Sequence, residues 1–142
     1  MSGKPSKPPP ASAPAPRCAN VDAFKVVVAS DGLLVTTIYC GKITADEMRA
    51  HLADFTSVAT KVRPGFVVLT DLSGLESMEQ ACLPILSEVM DLMNRLGVGR
   101  VVRVIPNIRK DIGFNILSLF HYRHGIPINT VGTMEEAAGL LK

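Results

Sequence analysis

One stretch decides the fold of this chain: Phe66-Val67-Val68-Leu69-Thr70, which follows Pro64-Gly65 and ends at Asp71. A run without polar alternation predicts a strand buried on both faces, as strands are in a parallel sheet. Parallel strands need a crossover between them, and helical patterns lie on both sides of this run. The stretch therefore indicates an α/β domain.

The residues before this stretch predict a hairpin followed by a helix. Lys25–Ala29 and Leu33–Tyr39 are β-branched runs separated by Ser30-Asp31-Gly32, and Asp-Gly favours the positive φ angles of a tight turn. We therefore expect two antiparallel strands. Thr44 and Glu47 then have the spacing of a capping box. The helix that they open has one buried stripe, formed by Met48, Leu52, Phe55, Ala59 and Val62.

The residues after this stretch alternate between helix and strand. The predicted elements are a helix over Leu83–Leu96, a strand over Val101–Ile105, a helix over Ile108–His124, a strand over Ile128–Val131 and a final helix capped by Thr133. The order is ββαβαβαβα. It predicts a single domain with a mixed, mostly parallel five-stranded sheet and four helices, because right-handed crossovers place successive strands side by side.

The first 20 residues differ in composition from the rest. They hold six of the ten prolines, and Lys4, Lys7 and Arg17 are their only charges. We expect residues 1–20 to form a disordered Pro/Ala-rich tail, as a linker or a docking peptide, ahead of a domain over residues 21–142. That domain carries 12 basic and 13 acidic residues, a net charge of −1. This charge argues against nucleic acid as a partner.

Composition also bears on location. No stretch is long and apolar enough to span a bilayer, and the start lacks the apolar segment of a secretory signal. We therefore expect no membrane insertion and a cytoplasmic protein. Cys18, Cys40 and Cys82 are odd in number and widely spaced, which predicts reduced thiols. Arg103 lies within a predicted strand and is expected at a sheet edge or reaching solvent.

A short motif at the end of the decisive strand carries a family resemblance. The strand runs into Asp71-Leu72-Ser73-Gly74, and a loop is expected from there to Gln80. This motif, with the ββαβαβαβα order, resembles the STAS domain of bacterial anti-sigma-factor antagonists over about residues 24–142. The resemblance implies a non-enzymatic signalling module that binds a partner protein and needs no cofactor. In that family, phosphorylation of a serine at the start of the second helix breaks the complex.

The chain departs from the family pattern at the phosphorylated position. Glu79 falls where the family has Asp, and Gln80 falls where it has the serine, so a phosphoryl group would need Ser73 or Ser77 instead. Asp71 and Ser73 have two interpretations, namely turn chemistry and partner contact. The predicted partner-binding residues are Asp71, Ser73, Ser77, Glu79, Gln80, Leu83 and Met90. The partner's identity and pairing of two copies as a homodimer stay open.

An alternative function is small-ligand binding. Asn107, Arg109 and Lys110 open the third predicted helix, where two cations beside free backbone amides would suit an anion. His121 and His124 have a metal-compatible spacing, but the sequence offers no third ligand, and we expect no metal. No nucleophile or acid–base pair can be argued from the spacings, so we expect no catalytic residue.

Overall fold

The five strands form one sheet in the order β1-β2-β3-β4-β5 in a computed structural model that describes Cys18, residues 23–105 and residues 125–141. The strands are β1 (Phe24–Val28), β2 (Leu34–Ile43), β3 (Val67–Met78), β4 (Arg100–Val104) and β5 (Ile128–Val131). The first pair is antiparallel and the other three pairs are parallel. This confirms the predicted mixed five-stranded sheet.

The described residues contain three α-helices: α1 (Ala45–Val58), α2 (Cys82–Leu96) and α3 (Met134–Leu140). A short 3-10 helix over Ala59–Lys61 extends α1. Gly97 ends α2 with a φ of 91°, a left-handed conformation that glycine adopts without strain. The fourth predicted helix, over Ile108–His124, falls outside the described residues, as does the predicted tail apart from Cys18.

Two apolar clusters hold the helices to the two faces of the sheet. Met48 and Phe55 of α1 and Val89 of α2 pack on one face in the larger cluster. On the other face Ala137 of α3 packs in a smaller cluster with Leu69 and Val102. Strand β3 contributes to both clusters, so its burial on two faces explains the unbroken apolar run that predicts it.

The first turn of α1 has the capping box that the sequence predicts. Thr44 Oγ1 accepts from Glu47 N at 3.2 Å, and Glu47 Oε1 accepts from Thr44 N at 2.9 Å. Ile43 and Met48, which flank this turn, are both buried. Two backbone amides at the N-terminal end of α1, which would otherwise lack an acceptor, are therefore hydrogen-bonded.

Removing this cap should destabilise the fold. Thr44→Ala is expected to lower the free energy of unfolding by about 1 kcal/mol, because Glu47 N loses its acceptor. Urea denaturation measures the change, and Thr60→Ala, at an exposed position in the 3-10 helix, serves as the control. Equal midpoints for the two variants would contradict a stabilising role for the cap.

Candidate functional site

The segment from Asp71 onward is strand, where the sequence predicts a loop. β2 extends to Ile43 and pairs with β3 as far as Met78. Two register shifts interrupt the pairing, one between Ile38 and Cys40 and one between Gly41 and Lys42, and each inserts one extra residue into β3. Such bulges break the alternation of side chains, which is why the sequence pattern reads as a loop.

Asp71 and Ser73 form a local turn at the first bulge. Asp71 is 1% exposed, and its Oδ1 accepts from Ser73 N at 2.9 Å and from Ser73 Oγ at 2.6 Å. These side-chain hydrogen bonds to a residue two positions along the chain are those of the turn interpretation that the sequence offered. Asp71 is therefore a buried acceptor that holds the backbone of the bulge, and Ser73, which is half-buried, lies nearer to the surface.

Glu79 joins the end of β3 to the start of α1. Its N–H donates to Ile43 O at 3.0 Å, and its Oε1 accepts from Ala45 N at 2.9 Å. Ala45 is the first residue of α1, where a carboxylate is favourable near the helix N-terminus. Glu79 therefore satisfies a free amide, a contact that its motif position alone does not predict.

The residues around Glu79 present an exposed surface. Ser77 and Gln80 are exposed, and Leu83 is half-buried in the first turn of α2. Cys82 N donates to Glu79 O at 2.9 Å, and Leu83 N donates to Gln80 O at 3.0 Å. We call Ser73, Ser77, Glu79, Gln80 and Leu83 the β3–α2 surface. The structure brings these five predicted residues together on one segment.

Met90 does not belong to this surface. It is 3% exposed and packs in the larger apolar cluster. The sequence places it a quarter turn from the core stripe, but α2 packs against both the sheet and α1, so its buried face is wider than one stripe. The prediction that Met90 contacts a partner is therefore wrong.

Two of the three cysteines are bonded, so the expectation of reduced thiols is wrong for this pair. Cys18 and Cys40 form a disulfide with Cα atoms 5.9 Å apart, and both are buried. Cys40 lies opposite Gly74 in the register of β2 and β3, which places the bond beside Gly74. Cys18 lies within the predicted tail, and no spacing pattern signals its partner.

The third cysteine is a buried thiol. Cys82 is fully buried, and its Sγ donates to Ile43 O at 3.6 Å. Burial raises the pKa of this thiol, and the nearby Glu79 carboxylate raises it further. Cys82 is therefore protonated at neutral pH and a poor nucleophile.

His51 lies inside an aromatic cluster. Its ring stacks on Phe24 with centroids 4.3 Å apart, and its edge contacts involve Tyr39 and Phe55. His51 Nε2 lies 3.1 Å from Tyr39 Oη, whereas Nδ1 is buried and has no hydrogen-bond partner among the described residues. Burial lowers the pKa of His51 to about 3, so the ring is neutral at pH 7. The sequence indicates no partner for this side chain.

An open groove of about 310 Å³ runs beside this cluster. Its lining residues are Ala23, Phe24, Glu47, Ala50, His51 and Asp54. Glu47 is already engaged in the capping box. The described residues hold no group of three His, Cys, Asp or Glu side chains that could bind a metal ion.

A polar row crosses the face of the sheet on which α1 and α2 pack. Thr37, Thr70, Arg103 and Thr130 follow one another in register. Thr37 Oγ1 donates to Thr70 Oγ1 at 3.1 Å, and Arg103 Nη2 donates to Thr130 Oγ1 at 2.9 Å. Arg103 is 6% exposed, so the expectation that it reaches solvent is wrong, whereas its bond to Thr130 directs the guanidinium towards β5, an edge strand of the sheet.

Several predicted residues lie outside the part of the chain that the structure describes. They are Asn107, Arg109, Lys110, His121 and His124. The alternative anion site therefore stays a prediction. In the described residues no helix is both long and apolar enough to cross a membrane.

Solved structures identify the fold that carries this site. An uncharacterized protein of the DUF3478 family with a SpoIIAA-like fold, from Shewanella loihica PV-4, has a TM-score of 0.64 at 13% identity, covering 87% of this chain and 97% of that one. The phosphorylated form of the Bacillus cell fate determinant SpoIIAA has a TM-score of 0.56 at 15% identity, covering 84% and 100%. An anti-sigma factor antagonist from Mycobacterium paratuberculosis has 0.54 at 19%, covering 90% and 97%.

These similarities establish the fold class. The chain has the STAS-like fold of SpoIIAA and of anti-sigma factor antagonists, which confirms the resemblance carried by Asp71-Leu72-Ser73-Gly74 and the element order. No protein-family description matches the chain, and no curated protein sequence does. At these identities the similarity concerns the fold, and the function has to be argued from the site.

Proposed function

We propose that this chain is a non-enzymatic regulatory module that binds a partner protein through the β3–α2 surface. The observation that carries the proposal is the exposure of Ser77 and Gln80 on a backbone held at both ends. Similar structures include an anti-sigma factor antagonist, which is a regulatory protein by its description. A regulatory protein-interaction role is thus supported from the fold and from the site.

Hydrogen bonds hold the backbone of the β3–α2 surface in the absence of a partner. Pairing with β2 holds β3 up to Met78, and Glu79 is bonded to both Ile43 and Ala45. A surface that is already ordered loses little conformational entropy on binding. This arrangement favours recognition of a protein face by fixed side chains.

The charge of the surface indicates the kind of partner. Glu76 and Glu79 are exposed on either side of Ser77, and the exposed Lys42 lies opposite Ser77 in the register of β2 and β3. Asp46, in the first turn of α1, is paired with Arg49 at 2.7 Å. A partner whose contact face carries neutral hydrogen-bonding residues rather than a block of one charge would complement this mixed-charge surface. Leu83 adds an apolar contact beside these charged side chains.

Ser77 is our candidate for phosphorylation. The Ser73 hydroxyl donates to Asp71 and is half-buried, whereas Ser77 is exposed. SpoIIAA is described in a phosphorylated form. A phosphoryl group on Ser77 would add about two negative charges and considerable bulk between Glu76 and Glu79, which would bury an unpaired charge in a contact fitted to a neutral hydroxyl.

The proposal includes a cytoplasmic location and no catalytic residue. Cytosolic disulfides are usually transient or redox-sensing, so the Cys18–Cys40 bond would be reversible in that compartment. Cys82 and His51 are both buried and uncharged at neutral pH. Neither is placed to act on a substrate.

Ser77→Asp should weaken partner binding. The immobilised full chain is used to capture proteins from a lysate of the source cells, and capture by the variant is expected to fall about tenfold, as for a charge introduced into an interface centre. The captured amount is measured by quantitative mass spectrometry against the wild type.

Ser30→Asp is the matched control, because Ser30 is exposed in the β1–β2 turn at the opposite end of the sheet. It should capture as much partner as the wild type. If Ser77→Asp and Ser30→Asp bind equally, the β3–α2 surface is not the contact site. If no protein is captured by the wild type, the proposed function fails.

A further inference from the structure

We infer that the groove between α1 and the start of β1 binds a small primary amine in its ammonium form. The His51 Nδ1 atom accepts a hydrogen bond from the ammonium group, and the carboxylates of Glu47 and Asp54 supply the opposite charge. The groove shares no residue with the β3–α2 surface, so the inference goes beyond the proposed function and does not depend on it.

An unpaired buried nitrogen carries the inference. His51 is fully buried and lines the groove, and its Nδ1 has no hydrogen-bond partner among the described residues. Leaving a buried polar atom without a partner is costly, so such atoms are rare in folded proteins. An unpaired nitrogen beside an open groove therefore points to a group that occupies the groove and bonds to it.

The protonation state of His51 decides what the occupant must offer. Burial lowers the pKa of the ring to about 3, so at neutral pH the ring is uncharged and one of its nitrogens is an acceptor. With the proton on Nε2, which lies 3.1 Å from Tyr39 Oη, the acceptor is Nδ1. The occupant must therefore donate a hydrogen bond.

The acidic side chains of the groove favour a cation. Glu47, Ala50, His51 and Asp54 have spacings of three and four along α1, so they form one stripe on the helix surface. Glu47 uses Oε1 in the capping box, and Asp54 is exposed and forms no ion pair within the described part of the chain. A positively charged donor therefore complements both the carboxylates and Nδ1.

The neighbouring basic side chains are placed elsewhere. Arg49 of α1 is paired with Asp46 at 2.7 Å. Lys25 follows Phe24 directly in β1, and successive side chains of a strand point to opposite faces of the sheet. Because Phe24 packs on the face that α1 covers, Lys25 lies on the other face. Neither cation therefore takes the place of a ligand in the groove.

The size and the walls of the groove indicate the class of cation. Its volume of about 310 Å³ is in the range of sites for small molecules. Phe24, Ala23 and Ala50 provide apolar walls that suit a short alkyl chain. A metal ion fits less well, because the described residues hold no group of three side chains that could bind one. A primary ammonium with an alkyl substituent matches the walls, the charge and the acceptor.

Titration of the full chain with n-butylammonium chloride tests the site. In NMR spectra at neutral pH and constant ionic strength, the amides of Phe24 and of residues 50–54 should shift saturably, with a Kd of about 1 mM or lower. The His51 Nδ1 resonance should shift with them, and amides of α2 should not. If the groove amides show no saturable shift, water satisfies Nδ1 and the proposal is overturned.

Ligand analogues separate the charge from the hydrogen bond. Butyltrimethylammonium has the charge without an N–H, and n-butanol has a donor without the charge, so each should bind at least about tenfold more weakly than n-butylammonium. Magnesium chloride at the same ionic strength should leave the groove amides unshifted. Equal affinity for butyltrimethylammonium would overturn the role of Nδ1, and a saturable response to magnesium would overturn the choice of an amine.

Substitutions test whether the groove holds the ligand. Asp54→Asn removes an exposed carboxylate, and His51→Phe keeps an aromatic ring without the acceptor, so each should raise the Kd about tenfold. Asp91→Asn, at an exposed position of α2, is the control and should bind like the wild type. Urea denaturation shows whether His51→Phe is folded, and Asp54→Asn tests the site without a change in the core. An unchanged Kd for Asp54→Asn would overturn the proposal.

The capture assay separates a free amine from a lysine of a partner protein. Asp54→Asn should capture as much partner as the wild type, because the groove lies apart from the β3–α2 surface. If n-butylammonium does not bind while Asp54→Asn loses the captured protein, the groove is a protein contact and the inference fails. If n-butylammonium binds and no protein is captured by the wild type, the inference stands and the proposed function fails.

Discussion

Acidification is expected to destabilise this protein through His51. Its pKa is lowered to about 3 by burial, whereas the exposed ring of an unfolded chain titrates near pH 6.5. Between these values the unfolded state binds one more proton than the folded state. The stability present above about pH 6.5 is therefore lost as the pH falls, by up to about 1.4 kcal/mol per pH unit.

The loss can be measured without reaching the range in which carboxylates titrate. Between about pH 7.5 and pH 5 the His51 contribution to the free energy of unfolding should fall by about 2 kcal/mol. Urea denaturation across this range measures it. His51→Phe keeps an aromatic ring beside Phe24 and removes the titrating group, so its stability should depend much less on pH.

The His51→Phe variant also gives the result that would contradict this prediction. If wild type and His51→Phe lose equal stability over this range, the proton is taken up elsewhere. An NMR titration adds a direct check, because the His51 ring should show no protonation above about pH 5. The tautomer with its proton on Nε2 would donate to Tyr39 Oη and leave only an acceptor at Nδ1, the less costly unpaired group.

The fold could be predicted from the sequence where local signals agree with tertiary packing. The Thr44 cap and the buried run before Asp71 are confirmed, and β5 has its predicted bounds of Ile128–Val131. In each of these places one short pattern has one structural outcome. Local propensity and burial point the same way there, so no long-range knowledge is needed.

Strand β3 shows why its second half could not be predicted. Gly74–Met78 belongs to the sheet because β2 continues to Ile43 and supplies hydrogen bonds along its length. Those bonds come from residues more than 30 positions away, and the bulges remove the period-2 pattern that signals a strand. A motif that is polar and contains glycine therefore looks like a loop.

The sequence predicted where the candidate-site residues lie better than it predicted what their side chains do. Asp71 and Glu79 were found through the motif, but Asp71 lies beneath the surface and Glu79 satisfies the first amide of α1. Both roles depend on which groups the fold brings near them. The Cys18–Cys40 bond was missed for the same reason, because the two cysteines are 22 positions apart and the sequence between them carries no sign of the contact.

Substitutions of Leu83 and Met90 should distinguish an effect on folding stability from an effect on partner binding. The two residues are seven apart on α2, yet Leu83 is half-buried and Met90 is 3% exposed in the core. Met90→Ala is expected to lower the free energy of unfolding by about 3 kcal/mol, because it leaves a cavity in the larger cluster. Leu83→Ala should cost less than about 1 kcal/mol, as for a partly exposed residue.

Partner binding should be weakened more by Leu83→Ala than by Met90→Ala, the reverse of their effects on stability. Leu83→Ala removes the apolar contact of the β3–α2 surface, so partner capture per folded molecule should fall, whereas Met90→Ala should leave it unchanged under conditions where the variant stays folded. Urea denaturation gives the folded fraction, and the capture assay is normalised to it. A Met90→Ala variant that kept its stability and lost binding would place Met90 on the contact face. That result would require α2 to repack, because Met90 lies in the apolar cluster that holds α2 against α1 and the sheet.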